Sequence, residues 1–177
     1  ETIVSLDSDP VSGVFKLTPD AGAAGLTRIT MPVGSSAASF YYTGSVRGTA
    51  TITVSAEGLT GDSQQVIVDA AGPSKLVFIT SAQTRMAGEE SLQMTVQLQD
   101  AYTNAINAAA DITLGLTSPA LSGSFSILNG AGWLGTNTVT ITGGSNNVSF
   151  YYTDSITGTI TFTPNATSNQ CVDPARA

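Results

Sequence analysis

Histidine does not occur in this chain, cysteine occurs once, at Cys171, and only 11% of the residues are charged. Each shortage removes a class of chemistry. Without histidine there is no Ser–His or Cys–His pair to activate a nucleophile. Zinc sites built on histidine or on several cysteines are excluded with it. A single cysteine closes no internal disulfide, so cysteine usage says nothing about compartment. The six basic residues, Lys16, Arg28, Arg47, Lys75, Arg85 and Arg176, lie far apart and are outnumbered by thirteen acidic ones. Nucleic-acid binding rests on clustered Lys and Arg, so that partner is not expected. The net charge of −7 also disfavours an anionic membrane surface. No apolar run approaches the roughly 18 residues that a membrane-spanning helix needs, and no membrane insertion is expected. The chain opens on Glu1 without a signal-peptide pattern, which reads as a processed product or a piece of something longer.

What the chain has instead is hydrophobic residues at 41% and abundant Ser and Thr in the polar positions. Thr and Val suit the pleated, half-buried surface of a strand. The periodicity agrees. Thr49-Ala50-Thr51-Ile52-Thr53-Val54 alternates polar and apolar, as do Thr138-Val139-Thr140-Ile141-Thr142 and Thr159-Ile160-Thr161-Phe162-Thr163. Alternation with a period of two puts one face on a core and the other in water. Gly143-Gly144-Ser145-Asn146-Asn147 and Thr60-Gly61-Asp62-Ser63 read as turns between strands. Ala105 to Ala110 looks weakly helical and is too short to stand alone.

The chain also repeats itself. Ser39-Phe40-Tyr41-Tyr42-Thr43 recurs as Ser149-Phe150-Tyr151-Tyr152-Thr153, an offset of 110. At the same offset Ser12-Gly13 and Phe15 match Ser122-Gly123 and Phe125, and Thr30, Gly34 and Ser35 match Thr140, Gly144 and Ser145. A period of this size is one sandwich domain, too long for a solenoid turn. Short alternating strands at this spacing indicate all-β Greek-key sandwiches. The joint falls at Ala70-Ala71-Gly72-Pro73. The expected domains are therefore 1–72, the C-terminal part of one sandwich, and 73–177, a second sandwich lacking its last strand.

In the second copy strands are expected at 75–80, 92–99, 111–117, 123–128, 137–142, 148–153 and 158–163. The first copy starts inside the equivalent of 111–117, so it is incomplete at its N-terminal side. It has one strand of its own, Gln64 to Val68. A sandwich missing strands exposes unpaired backbone and apolar surface. Either the chain belongs to a longer array, or a neighbouring chain supplies the missing strands.

Pro73-Ser74-Lys75-Leu76-Val77-Phe78-Ile79-Thr80, then Ala87-Gly88, then Val96-Gln97-Leu98-Gln99-Asp100-Ala101-Tyr102-Thr103-Asn104 resembles the immunoglobulin-like (Big-type) repeats of large bacterial and archaeal surface proteins. Ala38 to Thr53 and Val148 to Thr163 are similar to the later half of such repeats. The resemblance departs at Thr103, where glycine is usual, and from Cys171 to Ala177. It implies tandem immunoglobulin-like Greek-key β-sandwiches. It also implies an extracellular or cell-surface location and a structural or adhesive role in a stalk, arm, surface layer or filament.

Chemistry-bearing residues are few. Asp7 with Asp9, and Glu89 with Glu90, are carboxylate pairs of the kind glycoside hydrolysis uses, but both stand beside turns and read as solvated charge. No catalytic residue and no cofactor is assigned. Calcium is the one metal to consider, because it takes oxygen ligands from loops; its candidates are Asp100, Asn104 and Asp111. Asp100 and Asn104 bonding their own backbone to shape a turn is the alternative. Trp133, where the first copy has Ala23, packs over a sheet edge or contacts a glycan or protein partner. Asn147 and Asn165 head N-glycosylation triplets. Lys75 is the one plausible donor for a covalent self-crosslink. The tyrosine pairs Tyr41–Tyr42 and Tyr151–Tyr152 must each send one ring inward and one outward.

The expectation is thus a non-catalytic spacer or building block whose partners are neighbouring immunoglobulin-like modules or subunits of its own type, with glycans or other surface proteins as further possibilities. The alternatives are a subunit that exchanges strands in a homopolymeric filament, and a carbohydrate-binding module using Trp133.

Overall fold

The structure is a computed structural model that describes residues 1–10, 13–20, 22–118, 120, 122–158 and the backbone of 165–166. The chain divides into two compact units, Glu1–Ala70 and Ala71–Ala177. Every strand pairing among the described residues is antiparallel. No described helix is long and apolar enough to cross a membrane.

Unit 1 holds β1 (Thr2–Asp9), β2 (Gly13–Lys16), β3 (Arg28–Met31), β4 (Tyr41–Gly44), β5 (Gly48–Ala56) and β6 (Leu59–Val68). One sheet runs β3-β1-β5-β6 and the other is the β2-β4 pair. Unit 2 holds β7 (Lys75–Phe78), β8 (Met94–Gln99), β9 (Ile112–Gly115), β10 (Ser124–Ser126), β11 (Thr138–Ile141), β12 (Asn147–Thr153) and β13 (Asn165–Ala166). Its sheets run β10-β12-β8-β7 and β11-β9-β13. The expected strand at 158–163 falls largely outside the described residues. Ala105–Ala110 forms no helix; the one helical turn among the described residues is a 3-10 turn at Gly130–Gly132.

The alternation read in the sequence is what fills each core. In β5 Ala50 and Ile52 are buried between exposed or half-buried threonines, and in β11 Val139 and Ile141 do the same. The unit 2 core joins residues of both sheets: Met94, Val96, Leu98, Phe125, Phe150 and Tyr152 from one, Ile112, Leu114, Val139 and Ile141 from the other. Each large apolar side chain removed from water contributes about 1.5–3 kcal/mol, so this layer is the main source of stability.

The offset of 110 holds in three dimensions. Ile3 opposes Thr30 as Thr113 opposes Thr140. Phe15 opposes Tyr42 as Phe125 opposes Tyr152. Ser5 opposes Ser55 as Gly115 opposes Asn165. Two backbone bonds that close strand ends, Leu6 N–H to Thr27 O and Leu116 N–H to Asn137 O, are both 2.8 Å long. The repeated glycines have a cause. Gly34 and Gly144 sit at φ +82° and +85° in the turns that Ser35 N–H closes on Pro32 O and Ser145 N–H on Thr142 O; a left-handed third position in such a turn favours glycine. Gly13 and Gly123 are needed for space: an added Cβ would lie 2.2 Å from the Tyr42 ring in one and 2.3 Å from the Tyr152 hydroxyl in the other.

Candidate functional site

β8 buries Met94, Val96 and Leu98 on one face and ends on buried Gln99, with buried Asp100 directly after it. The Asp100 carboxylate is fully enclosed and receives four N–H donors. Oδ1 accepts from the backbone of Tyr102 (2.8 Å) and Asn104 (2.8 Å). Oδ2 accepts from Asn104 Nδ2 (2.7 Å) and from the backbone of Ala71 (3.0 Å). Burial pushes this carboxyl upward, but the bonds from the Asn104 side chain and from the backbone of Asn104, Ala71 and Tyr102 outweigh it and hold the group below its ordinary value. These four donors take up lone pairs that a calcium ion would use. Asp111 spends its Oδ1 elsewhere, on Gly143 N–H at 2.8 Å. Among the described residues no three acidic or sulfur ligands gather at one point. Asp100 and Asn104 thus shape their own turn and also hold the chain at Ala71.

A second polar cluster lies at the other end of β12. Tyr152, buried at 8% exposure, donates its hydroxyl to Asp154 Oδ2 at 2.8 Å and accepts from Ser118 Oγ at 2.8 Å. Asp154 Oδ1 accepts from Ser122 Oγ and from Ile156 N–H. The bond from Ser122 is the largest influence on Asp154, joined by Ile156, Tyr152 and Ser155 against burial, and the carboxyl is lowered. Burial, with the Asp154 bond and charge, raises the Tyr152 phenol against the opposing effect of Ser118. Tyrosine stays protonated, aspartate stays charged, and their bonds fasten β12 to the segment before β10. Asp154 was not singled out in the sequence. Its signal was there: it directly follows the repeated Ser-Phe-Tyr-Tyr-Thr run, where the first copy has Gly44.

The other sequence candidates do not converge on these clusters. Trp133 is half-buried beside the 3-10 turn and donates its indole N–H to Ser124 Oγ at 3.3 Å. Glu90 Oε2 accepts from Gly130 N–H at 2.8 Å, fastening that loop. Glu89 accepts from Met86 N–H and pairs with Arg85 at 3.3 Å. Asp7 is exposed and receives Ser8 N–H. Asn147 is exposed at the start of β12, next to Asn146, whose Oδ1 accepts its Nδ2 at 2.7 Å. Asn165 begins β13, and its side chain lies outside the described residues. Lys75 is half-buried at the start of β7, opposite Gln99. Tyr42 and Tyr152 are the inward rings of their pairs, and Tyr41 is the outward one at 48% exposure.

No protein-family model and no curated protein matches the chain. Among solved structures, domains 4 and 5 of the S-layer protein SbsC align over 94% of this chain at 14% identity with a TM-score of 0.38. Domains 1–6 of the same surface-layer protein align over 94% at 16% identity and 0.38. A glycosyl hydrolase family 2 member from Bacteroides cellulosilyticus aligns over 94% at 13% identity and 0.41. The chain spans 66% of the first of these structures, 18% of the second and 20% of the third.

Proposed function

We propose that this chain is a non-catalytic, immunoglobulin-like spacer from an extended extracellular or cell-surface protein, with neighbouring modules of the same kind as its partners. One observation carries the reading: two units with the same strand register at an offset of 110, separated only by residues 69–74 between β6 and β7. That connection is no longer than an ordinary loop inside a domain. Two of its members are already held by unit 2, Ala71 through Asp100 and Ser74 through Gln99 O at 2.9 Å. Serial modules with little slack between them set a distance, which is what a stalk or arm needs.

The buried polar clusters support the same reading, because both are saturated with internal hydrogen bonds that hold strands and turns together. Small-angle X-ray scattering of the protein tests the proposal. An elongated particle with a long tail in its pair-distance distribution is expected; a compact, near-spherical particle would overturn it.

A further inference from the structure

In unit 2, β12 is paired along both edges: Ser124–Ser126 lie against its second half, and β8 against its first, with Val148 opposite Val96, Ser149 opposite Thr95 and Phe150 opposite Met94. In unit 1 the second half is paired in the same way by β2. Among the described residues nothing stands where β8 would be. The consequence is local and visible. Ser149-Phe150 is strand and the identical Ser39-Phe40 is not. Phe150 is fully buried, packed on Phe125 and Phe78 with ring centroids 5.9 and 6.1 Å away; Phe40 keeps the first contact, on Phe15 at 5.7 Å, and stays half-buried. Val4 and Met31 are likewise half-buried, while their counterparts Leu114 and Ile141 are at 0% exposure.

We propose that residues 38–40 of unit 1 form a strand-acceptor site. Its occupant is an extended polypeptide segment from outside these 177 residues that lies antiparallel to Ala38–Phe40 and carries large apolar side chains at alternate positions, as Met94, Val96 and Leu98 do in β8. Unit 2 supplies the template for both the register and the chemistry. Pairing would add main-chain hydrogen bonds for affinity, and the alternating side chains would cover Phe40, Val4 and Met31 for specificity. The wrong register turns the apolar set outward, so the site discriminates. A second copy of this chain is the poorer donor. Its β8 is locked in its own core, with Val96 at 0% and Leu98 at 1% exposure, and lending it would open as much apolar surface as it closed.

The test adds the synthetic peptide Leu92–Gln99 to the 177-residue chain and follows hydrogen–deuterium exchange. Amides in 38–40 are expected to slow by about tenfold or more, while 147–150, already paired, do not change. The same peptide carrying Val96→Asp is expected to give no slowing, and Ala38→Pro in the chain, which removes a donor from an unpaired segment, is expected to abolish it. Unchanged exchange at saturating peptide would overturn the proposal, as would equal slowing by the Val96→Asp peptide. Slowing that develops without peptide as chain concentration rises would overturn the choice of occupant in favour of a second copy.

Discussion

Tyr152 donates its hydroxyl to Asp154 at 2.8 Å, and the same ring in the other copy, Tyr42, buries its hydroxyl with no partner among the described residues. Two partners are missing at Tyr42: Asp154 has Gly44 as its counterpart, and Ser118, which also bonds Tyr152, has Ser8, which does not reach Tyr42. A buried hydroxyl without a hydrogen bond carries its desolvation cost uncompensated. Tyr42→Phe is therefore expected to leave unit 1 as stable or slightly more so. Tyr152→Phe is expected to lower unit 2 by about 1 kcal/mol. Thermal unfolding of the two variants, followed unit by unit through hydrogen exchange, checks the contrast. Equal effects in the two copies would contradict it.

Thr103 sits at φ +76°, in the left-handed region that β-branched residues avoid. The turn it belongs to is fixed by the Asp100 carboxylate, so the strain cannot relax without giving up those bonds. Thr103→Gly is expected to raise the stability of unit 2 by about 1 kcal/mol, seen as a rise of a few degrees in Tm. A drop in Tm would show that the hydroxyl, which donates to Tyr102 O, outweighs the backbone.

Asp100→Ala strands three backbone N–H groups, those of Ala71, Tyr102 and Asn104. A loss of about 2–3 kcal/mol in unit 2 is expected by denaturant unfolding. Ionisation gives a second readout. Asp100 and Asp154 are both held below their ordinary values, so the unfolded chain takes up their protons first as pH falls. Their contribution is whole above the unfolded carboxylate value of about 3.9 and declines as pH drops through the folded values. Acid unfolding of unit 2 is expected below about pH 4, and Asp154→Asn should flatten that limb of the pH–stability curve.

Gly123→Ala brings a methyl group onto the Tyr152 hydroxyl and Ser118, and Gly13→Ala brings one onto the Tyr42 ring. Each substitution is expected to cost its own unit about 1–3 kcal/mol. Pairing it with a smaller residue at the tyrosine should recover part of the loss. Absence of recovery in a double-mutant cycle would break the link between glycine and ring.

The strands were legible because the pattern of Thr49–Val54 and Thr138–Ile141 has the period that a one-sided sheet demands, and because Phe-Tyr-Tyr recurs. The observed β6 runs Leu59–Val68 where only Gln64–Val68 was expected; its first half is polar and exposed, held by pairing with β5 rather than by a buried face. Ser39-Phe40 shows the converse: strand-favouring residues that are irregular where no second neighbouring strand lies among the described residues. The turn role of Asp100 was readable from Asn104 four residues on. Asp154 was marked only by its place after the repeated Ser-Phe-Tyr-Tyr-Thr run; its partners were not, because Ser118 and Ser122 lie more than thirty residues away and serine carries no periodic signature.

The bond from Ala71 to Asp100 reaches across 29 positions of sequence, and it has a mechanical consequence. Tension drawn along the chain from β6 meets its first fixed point at Ala71, so only Asp69 and Ala70 can pay out as slack. Should the carboxylate let go, the next hold is Ser74 on Gln99, and the tether lengthens to five residues. A small extension of this kind ahead of unfolding is expected from the release of one aspartate.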